Sequence, residues 1–349
     1  MQITKYSDVS SAKLDKPGIV NISDIPEGSE AVWLSAIAND LAKKSGKTLL
    51  YISRDDARLR TISDGLSFFS PTTKLIVFPA WDCLPFDRVS PRADIVSQRL
   101  MALYEILTLD SNIPTIVLTT LNSALQRLPP KASIEGVYKN IIVGTDCDQE
   151  SLINFLESCG YINTANVIES GEYANRGGIL DIFPAGADSP IRIDFYGNEI
   201  ESIKFFDPIN QRSGNNIEHY LITPVAEVSL TENSIKSFKD GYREHFGAVM
   251  GPDPLFESIC QGQRYPGVEH WLPLFFNTLE TIFDYINTGP VILDHLVNQG
   301  VQDRCEMVAD YYTARGEALK GRGLIAESLY NPLPPNLLYI EIKEWKKIL

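Results

Sequence analysis

The sequence predicts a mixed α/β chain. A parallel sheet layered with helices is built from two separated stretches, and an α+β domain, a helix on a small antiparallel sheet, is inserted between them. Three observations lead there. Apolar runs of strand length alternate with segments of helical spacing over residues 18–127, the pattern of a parallel sheet covered on both faces. Over 179–206 the texture changes to short alternating runs separated by turns, the pattern of a β-meander. From residue 229 onward helical spacing dominates. The two strand-like runs there, 290–293 and 337–340, are too few for a sheet of their own and are expected to join the first one. The boundaries are 1–128, 129–228 and 229–349.

Residues 1–17 are polar and lead into a first buried strand at 18–22. A turn over 24–29 precedes a helix over 31–43, with Trp33, Leu34, Ile37 and Leu41 at helical spacing. Residues 48–52 make a second strand, 55–68 a helix and 74–78 a third strand. Asp94 can cap a helix over 95–107. Residues 115–119 make a fourth strand, and a short helix runs to Arg127 before Pro129-Pro130 ends the unit. In the second region 141–144 is strand-like, and Asp146 or Asp148 can cap a helix through Phe155. The meander begins at 179–183, closed by Pro184, which cannot donate to a following ladder. In the next strand Ile191, Ile193 and Phe195 share one side and Arg192, Asp194 and Tyr196 the other. The apolar row faces a core, and the charged and aromatic row is left outside for a partner. Gly197-Asn198 is a two-residue turn, so Tyr196 and Glu199 should flank a hairpin. In the third region the clearest helices are 234–246 and 299–316.

Composition narrows the function. With 349 residues, 44% hydrophobic and 22% charged, the chain reads as a soluble globular protein of two or three domains. A net charge of −14 argues against a broad phosphate-binding surface, and so against an autonomous architectural DNA binder, while allowing a local basic patch. The five cysteines are scattered without a CxxC, which suits reduced thiols in a cytoplasm and no disulfide frame or zinc site. No run is long enough to span a bilayer, so no membrane partner is expected. The four histidines have no cysteine or carboxylate at metal-ligand spacing, so no metal is expected. No catalytic residue is assigned: Asp181 and Asp194 read as strand-surface charges, and Trp81 and Trp271 as core.

The first domain has the layout of a P-loop nucleotide-binding fold, and its first strand-to-helix turn is where a phosphate loop would lie. That chemistry needs several glycines, whose backbone N–H groups converge on phosphate, and a lysine to reach the terminal phosphates. The turn reads Asp24-Ile25-Pro26-Glu27-Gly28-Ser29-Glu30, with one glycine, no lysine and three carboxylates. Gly28, Ser29 and Glu30 are therefore read as a degenerate, non-functional phosphate loop. Ser45-Gly46-Lys47-Thr48 looks like the tail of such a motif, but it ends a helix and enters a strand, so Gly46 reads as a helix C-cap.

The stretch GEYANRGGILDIFP at 171–184 is followed by Arg192-Ile193-Asp194-Phe195-Tyr196, by Glu199-Ile200-Glu201-Ser202-Ile203 and by Phe206-Asp207. Together these resemble the second domain of the transcription-repair coupling factor (Mfd) family, shared in outline with the excinuclease subunit UvrB. FPAWDCLPFD at 78–87 resembles that family's first domain, and EHWLPLFF at 269–276 the half-domain that completes it. The resemblance thus covers nearly the whole chain. It implies a UvrB-like N-terminal module, in domains 1a, 2 and 1b, that has lost its nucleotide motif. Such a module binds UvrA and brings nucleotide excision repair to stalled RNA polymerase. The parent protein would be an ATP-dependent DNA translocase whose motor uses ATP and Mg, with RNA polymerase and DNA engaged by its C-terminal domains. This chain itself is expected to be no enzyme and to hold no cofactor. It carries no D-E-x-H or D-E-A-D box and reads as the N-terminal third of a longer protein. Carried over by the resemblance, Arg176, Arg192 and Tyr196 stand where the family's UvrA-binding arginines and aromatic lie, with Tyr196 at a place often held by Phe. Arg and Tyr are also the residue types that anchor interfaces. The alternative is a UvrB-type excinuclease subunit or an active P-loop nucleotide hydrolase. Against it stand the degenerate turn at Gly28 and the lack of room between Asp87 and Asp94 for UvrB's tyrosine-rich hairpin.

Overall fold

A computed structural model describes residues 3–5, 18–26, 28–134, 136, 138–286, 289–321 and 330–349. Strands β1 (Ile3–Lys5) and β2 (Asn21–Ser23) pair in parallel as a separate two-stranded sheet. The main parallel sheet holds β3 (Leu49–Ser53), β4 (Lys74–Phe78), β5 (Thr115–Thr120) and, from the far end of the chain, β14 (Val291–Leu293), in the order β14-β3-β5-β4. All six residues of β5 are buried, as expected of a central strand covered on both faces. Alternation sorts its neighbours. Leu49, Tyr51, Ile116 and Leu118 point to helices α1 (Glu30–Lys44) and α2 (Asp56–Phe69). Leu50, Ile52 and Val117 point to α3 (Ala93–Leu107). The α3 side is completed from the third region by Ile282, Tyr285, Val297 and Trp345. Asp55 starts α2, its Oδ1 accepting from Arg58 N at 2.8 Å.

The second region is a six-stranded sheet in the order β12-β11-β10-β9-β8-β7. It runs through β7 (Ile162–Asn163), β8 (Glu172–Arg176), β9 (Ile179–Ile182), β10 (Ile191–Tyr196), β11 (Glu199–Phe206) and β12 (Ser213–Ile217). All neighbours are antiparallel except β7 and β8. A short pair, β6 (Lys139–Ile142) with β13 (His219–Ile222), stands beside it. Helix α4 (Gln149–Ser158), capped by Asp148 on Ser151 N, covers one face, where Leu152 and Leu156 pack on Leu180, Ile182, Ile191 and Ile193. Two tight turns set the register: Arg176 faces Ile179 across Gly177-Gly178, and Tyr196 faces Glu199 across Gly197-Asn198. Gly177 (φ +64°) and Gly197 (φ +62°) supply the left-handed conformation that these turns require.

The third region adds α5 (Glu232–Phe246), α6 (Pro254–Cys260), a 3-10 helix at Val268–Leu274 and α7 (Val297–Gly321). Trp271 lies at the centre of a second core with Phe86, and Trp81 packs at its margin. The second region is tied to the first by a buried ion pair. Arg99 of α3 donates to Glu227 Oε1 at 2.6 Å, Trp81 Nε1 donates to the same oxygen at 2.8 Å, and the Arg99 guanidinium lies 4.4 Å from the Phe78 ring centre.

Several expectations are corrected. The strand read at 18–22 is Asn21–Ser23, half-buried and paired with β1, not with the main sheet. An apolar run shows that a strand exists, not which sheet it enters. The parallel and antiparallel sheets of the predicted fold class are present, but the turn at Gly28 does not follow a strand of the main sheet, as a phosphate loop would. Residues 290–293 do enter that sheet, with Val291 opposite Leu50. The run 337–340 does not: Pro335 opens a short helix, Pro335–Leu338, and only Tyr339 bridges to Gln126. Helix α3 starts at Ala93, with Asp94 in its first turn bound to Arg92 and not at the cap. The polar lead-in at 1–17 falls mostly outside the described residues.

Candidate partner interface

The face of the six-stranded sheet opposite α4 carries the candidate site. Register aligns Arg192, Asp181 and Ala174 in one row across β10, β9 and β8. Arg176 and Asp194 flank Ile179 in the next row. Asp181 is buried to 0% exposure, and Arg192 clamps it with two bonds, Nε to Oδ1 at 2.7 Å and Nη2 to Oδ2 at 2.9 Å. This forked geometry gives the strongest charge-assisted pairs, and it raises the Arg192 pKa above its ordinary value. The Arg192 guanidinium also lies 4.8 Å from the Phe206 ring centre. Arg176 reaches Asp181 from the other side, with Nη1 at 3.8 Å from Oδ2, and donates to Asn166 Oδ1 at 2.6 Å and to the Ala165 carbonyl. In the next row, burial opposes ionisation of Asp194, but bonds from Lys204 (2.7 Å) and Ser202 (2.6 Å) outweigh it and hold the carboxyl below its usual range.

The three residues picked from sequence therefore differ in kind. Arg176 is 42% exposed, Tyr196 is 79% exposed, and Arg192 is only 17% exposed. The two arginines converge on one carboxylate, while Tyr196 stands about 13 Å farther along β10 at a strand rise of ~3.3 Å per residue. Two sequence readings are corrected here. Arg192 is not a free outer charge, and Asp181 is not a strand-surface charge, because the two bind each other and Arg176, the Phe206 ring and the Gln211 carbonyl close on the pair. Asp181 was missed as part of the site. No local signal pointed to it, because the β9–β10 register that places Asp181 opposite Arg192 is set across the 183–190 loop and not by either tight turn.

At the other candidate, Gly28 has φ +82°, and the Ser29 hydroxyl closes back on the Pro26 carbonyl at 2.7 Å. Glu30 accepts from Arg58 Nη2 at 2.8 Å, and Arg58 Nε also binds Asp294, just past β14, at 3.0 Å. Gly46 (φ +63°) closes the end of α1, its N–H bonding the Leu41 carbonyl at 3.0 Å. Among the described residues no group of three or more His, Cys, Asp or Glu side chains could hold a metal ion, and no helix is long and apolar enough to cross a membrane.

A helix-backed mixed sheet with an arginine–carboxylate–arginine cluster on its open face is the protein class that the fold and site define here. Residues 140–227, which span it, match the family model described as the UvrB interaction domain. The wider chain is similar to the transcription-repair-coupling factors of Rickettsia conorii (31% identical over 86% of this chain and 26% of that protein), Escherichia coli K12 (29%, 90% and 27%) and Haemophilus influenzae (31%, 81% and 24%). The chain spans about a quarter of the length of these curated relatives. These likenesses support reading the chain as an N-terminal module of a transcription-repair-coupling factor.

Proposed function

We propose that this chain binds UvrA through the open face of the six-stranded sheet and so brings nucleotide excision repair to stalled RNA polymerase. The observation that carries the reading is the match of 140–227 to the UvrB interaction domain, on a sheet whose outer face holds out Arg176 and Tyr196. The exposed edge of a guanidinium can donate a charge-assisted hydrogen bond to a carboxylate of the partner, and an exposed ring adds rigid buried area. Arg192 takes part by holding the face in shape. DNA translocation, its ATP and Mg, and the contacts with RNA polymerase and DNA are assigned to the three quarters of such factors that this chain does not span. Residues 1–128 and 229–349 are read as one unit and 129–228 as a domain inserted into it, acting in the cytoplasm. The turn at 24–30 is read as a helix entry with no nucleotide role, because Glu30 is engaged by Arg58 and no lysine stands in it. The rival reading, an active nucleotide hydrolase or a UvrB-type subunit, gains no observation.

The test is calorimetric titration of UvrA into the chain, with ATP titrated into the chain alone as the control. Saturable UvrA binding is expected, weakened at least ~30-fold by Arg176→Ala with Tyr196→Ala, a loss of about 2 kcal/mol, with no heat from ATP alone. Undiminished binding by the double variant would remove this face from the interface. Saturable ATP binding would restore the hydrolase reading.

A further inference from the structure

We infer that the partner surface continues past the arginines over two loops, 164–168 and 207–212, whose Ile168 and Ile209 are apolar anchors for a face of UvrA that sets carboxylates among apolar side chains. This rests on the reading above. Single exposed aliphatic residues are ordinary. What distinguishes these two is how their loops are held. Arg176 fastens the first loop through the Ala165 carbonyl and Asn166. Gln211 Nε2 ties the loops together by donating to the Val167 carbonyl at 3.1 Å. Arg192 Nη1 fastens the second loop by donating to the Gln211 carbonyl at 3.3 Å. With both arginines on Asp181, the two loops and the charged cluster make one connected hydrogen-bonded ring. Beneath it Val167, Ala174 and Phe206 form a small buried cluster that seats both loop bases.

The loop at 207–212 is built to hold its tip still. Asp207 Oδ1 accepts from Ile209 N at 2.8 Å and from Asn210 N at 3.2 Å, and Asp207 N closes on the Arg212 carbonyl at 3.0 Å. Gln211 sits in the left-handed region at φ +61°, which costs about 1 kcal/mol for a residue with a side chain. The tip, Ile209, is 91% exposed, and Ile168, whose N–H is held by Glu172 Oε2 at 2.8 Å, is 58% exposed. An apolar side chain on an already ordered loop loses little entropy on docking. Arg212, in the same loop as Ile209, is exposed and makes no ion pair among the described residues. The face thus offers two apolar anchors beside the exposed guanidiniums of Arg176 and Arg212, in a chain whose net charge is −14. Its complement is a patch in which carboxylates sit among apolar side chains.

The test titrates UvrA with the whole chain as wild type, Ile168→Asp, Ile209→Asp, Ile209→Ser and Arg176→Ala. Met250→Asp, at a 93% exposed position in the third region, is the matched control. The expected result is an affinity loss of about tenfold or more for each isoleucine variant, including the serine one, with Met250→Asp binding as wild type and all melting together. If the isoleucine variants bind as wild type while Arg176→Ala is weakened, the loops are not part of the surface and the arginine reading stands. If only the aspartate variants are weakened, repulsion and not apolar contact is at work, and the anchors are wrong. If wild type does not bind UvrA, the recruitment reading fails and this inference with it.

Discussion

Arg192 shows how a residue can belong to an interface and still be structural. Its guanidinium is the main neutralising partner of Asp181, which has no access to water. Removing one member of a buried pair leaves the other charge uncompensated, and that costs more than the pair itself contributes. Arg192→Ala should therefore lower the unfolding free energy by about 3 kcal/mol, with Arg176 at 3.8 Å only partly replacing it. Arg176→Ala, at an exposed position, should cost about 1 kcal/mol or less. Urea unfolding of the two variants at neutral pH separates them, and equal small losses would mean that Asp181 is not held as described. Any loss of partner affinity in Arg192→Ala must accordingly be read beside its stability. The sequence made the residue types and the side of the strand legible, since alternation alone assigns Arg192 and Tyr196 to one face. It did not make burial legible. That depends on Asp181 and Phe206, which come from neighbouring strands and are found only once the register is known.

Among the elements, those specified by local chemistry were the legible ones. The Gly197-Asn198 turn fixes Tyr196 opposite Glu199, and Asp148 starts α4, because both act within a few residues. Sheet membership is a long-range property, which is why the strand near residue 20 was placed in the wrong sheet. The 3-10 helix Val268–Leu274 is a further case, since nothing local announces that its polar residues Glu269 and His270 are buried. His270 packs edge-on to Trp81 at 5.6 Å between ring centres, and neither of its ring nitrogens has a hydrogen-bond partner among the described residues. Burial disfavours the charged ring and pushes its pKa down to about 4. The unfolded chain takes up that proton below about pH 6.5 while the folded chain refuses it until about pH 4, so the histidine lowers stability as pH falls through this window. The limiting slope is about 1.4 kcal/mol per pH unit. Burial raises the Glu269 pKa, which acts with the opposite sign by favouring the folded state less as pH rises above 4.5. The histidine contribution is therefore isolated by comparison with His270→Phe. Between pH 6.5 and 4 the variant should gain on wild type in unfolding free energy at close to that slope. Parallel curves would show that His270 does not stay neutral in the fold.

For the whole molecule, the shortage of strands after residue 229 pointed to a sheet shared between distant parts of the chain, and β14 does lie along the edge of β3. The consequences for cooperativity can be worked out from the cores. The α3 side of the main sheet draws Ile282, Tyr285, Val297 and Trp345 from the third region, and Arg58 ties Glu30 to Asp294 across the same divide. A chain ending at Pro130 would expose the β3 edge and leave Leu50, Ile52 and Val117 without part of their cover. The second region differs, because α4 and its own sheet enclose a complete core around Leu180, Ile193 and Ile203. Its middle is tied to the rest by polar contacts, chiefly Arg99 with Glu227 and Ser97 with Thr223 at 2.9 Å, and its two ends by apolar ones, with Ile134 and Tyr138 on the α3 core and Val228 in the core around Trp271. Residues 131–228 expressed alone should therefore melt in one cooperative transition. Residues 1–130 alone should show no sharp transition by calorimetry or near-ultraviolet circular dichroism, and should regain one when joined to 229–349 through a short linker in place of the second region. A sharp melt of 1–130 near the temperature of the full chain would show that the first sheet closes without β14, and the two-part unit would have to be abandoned.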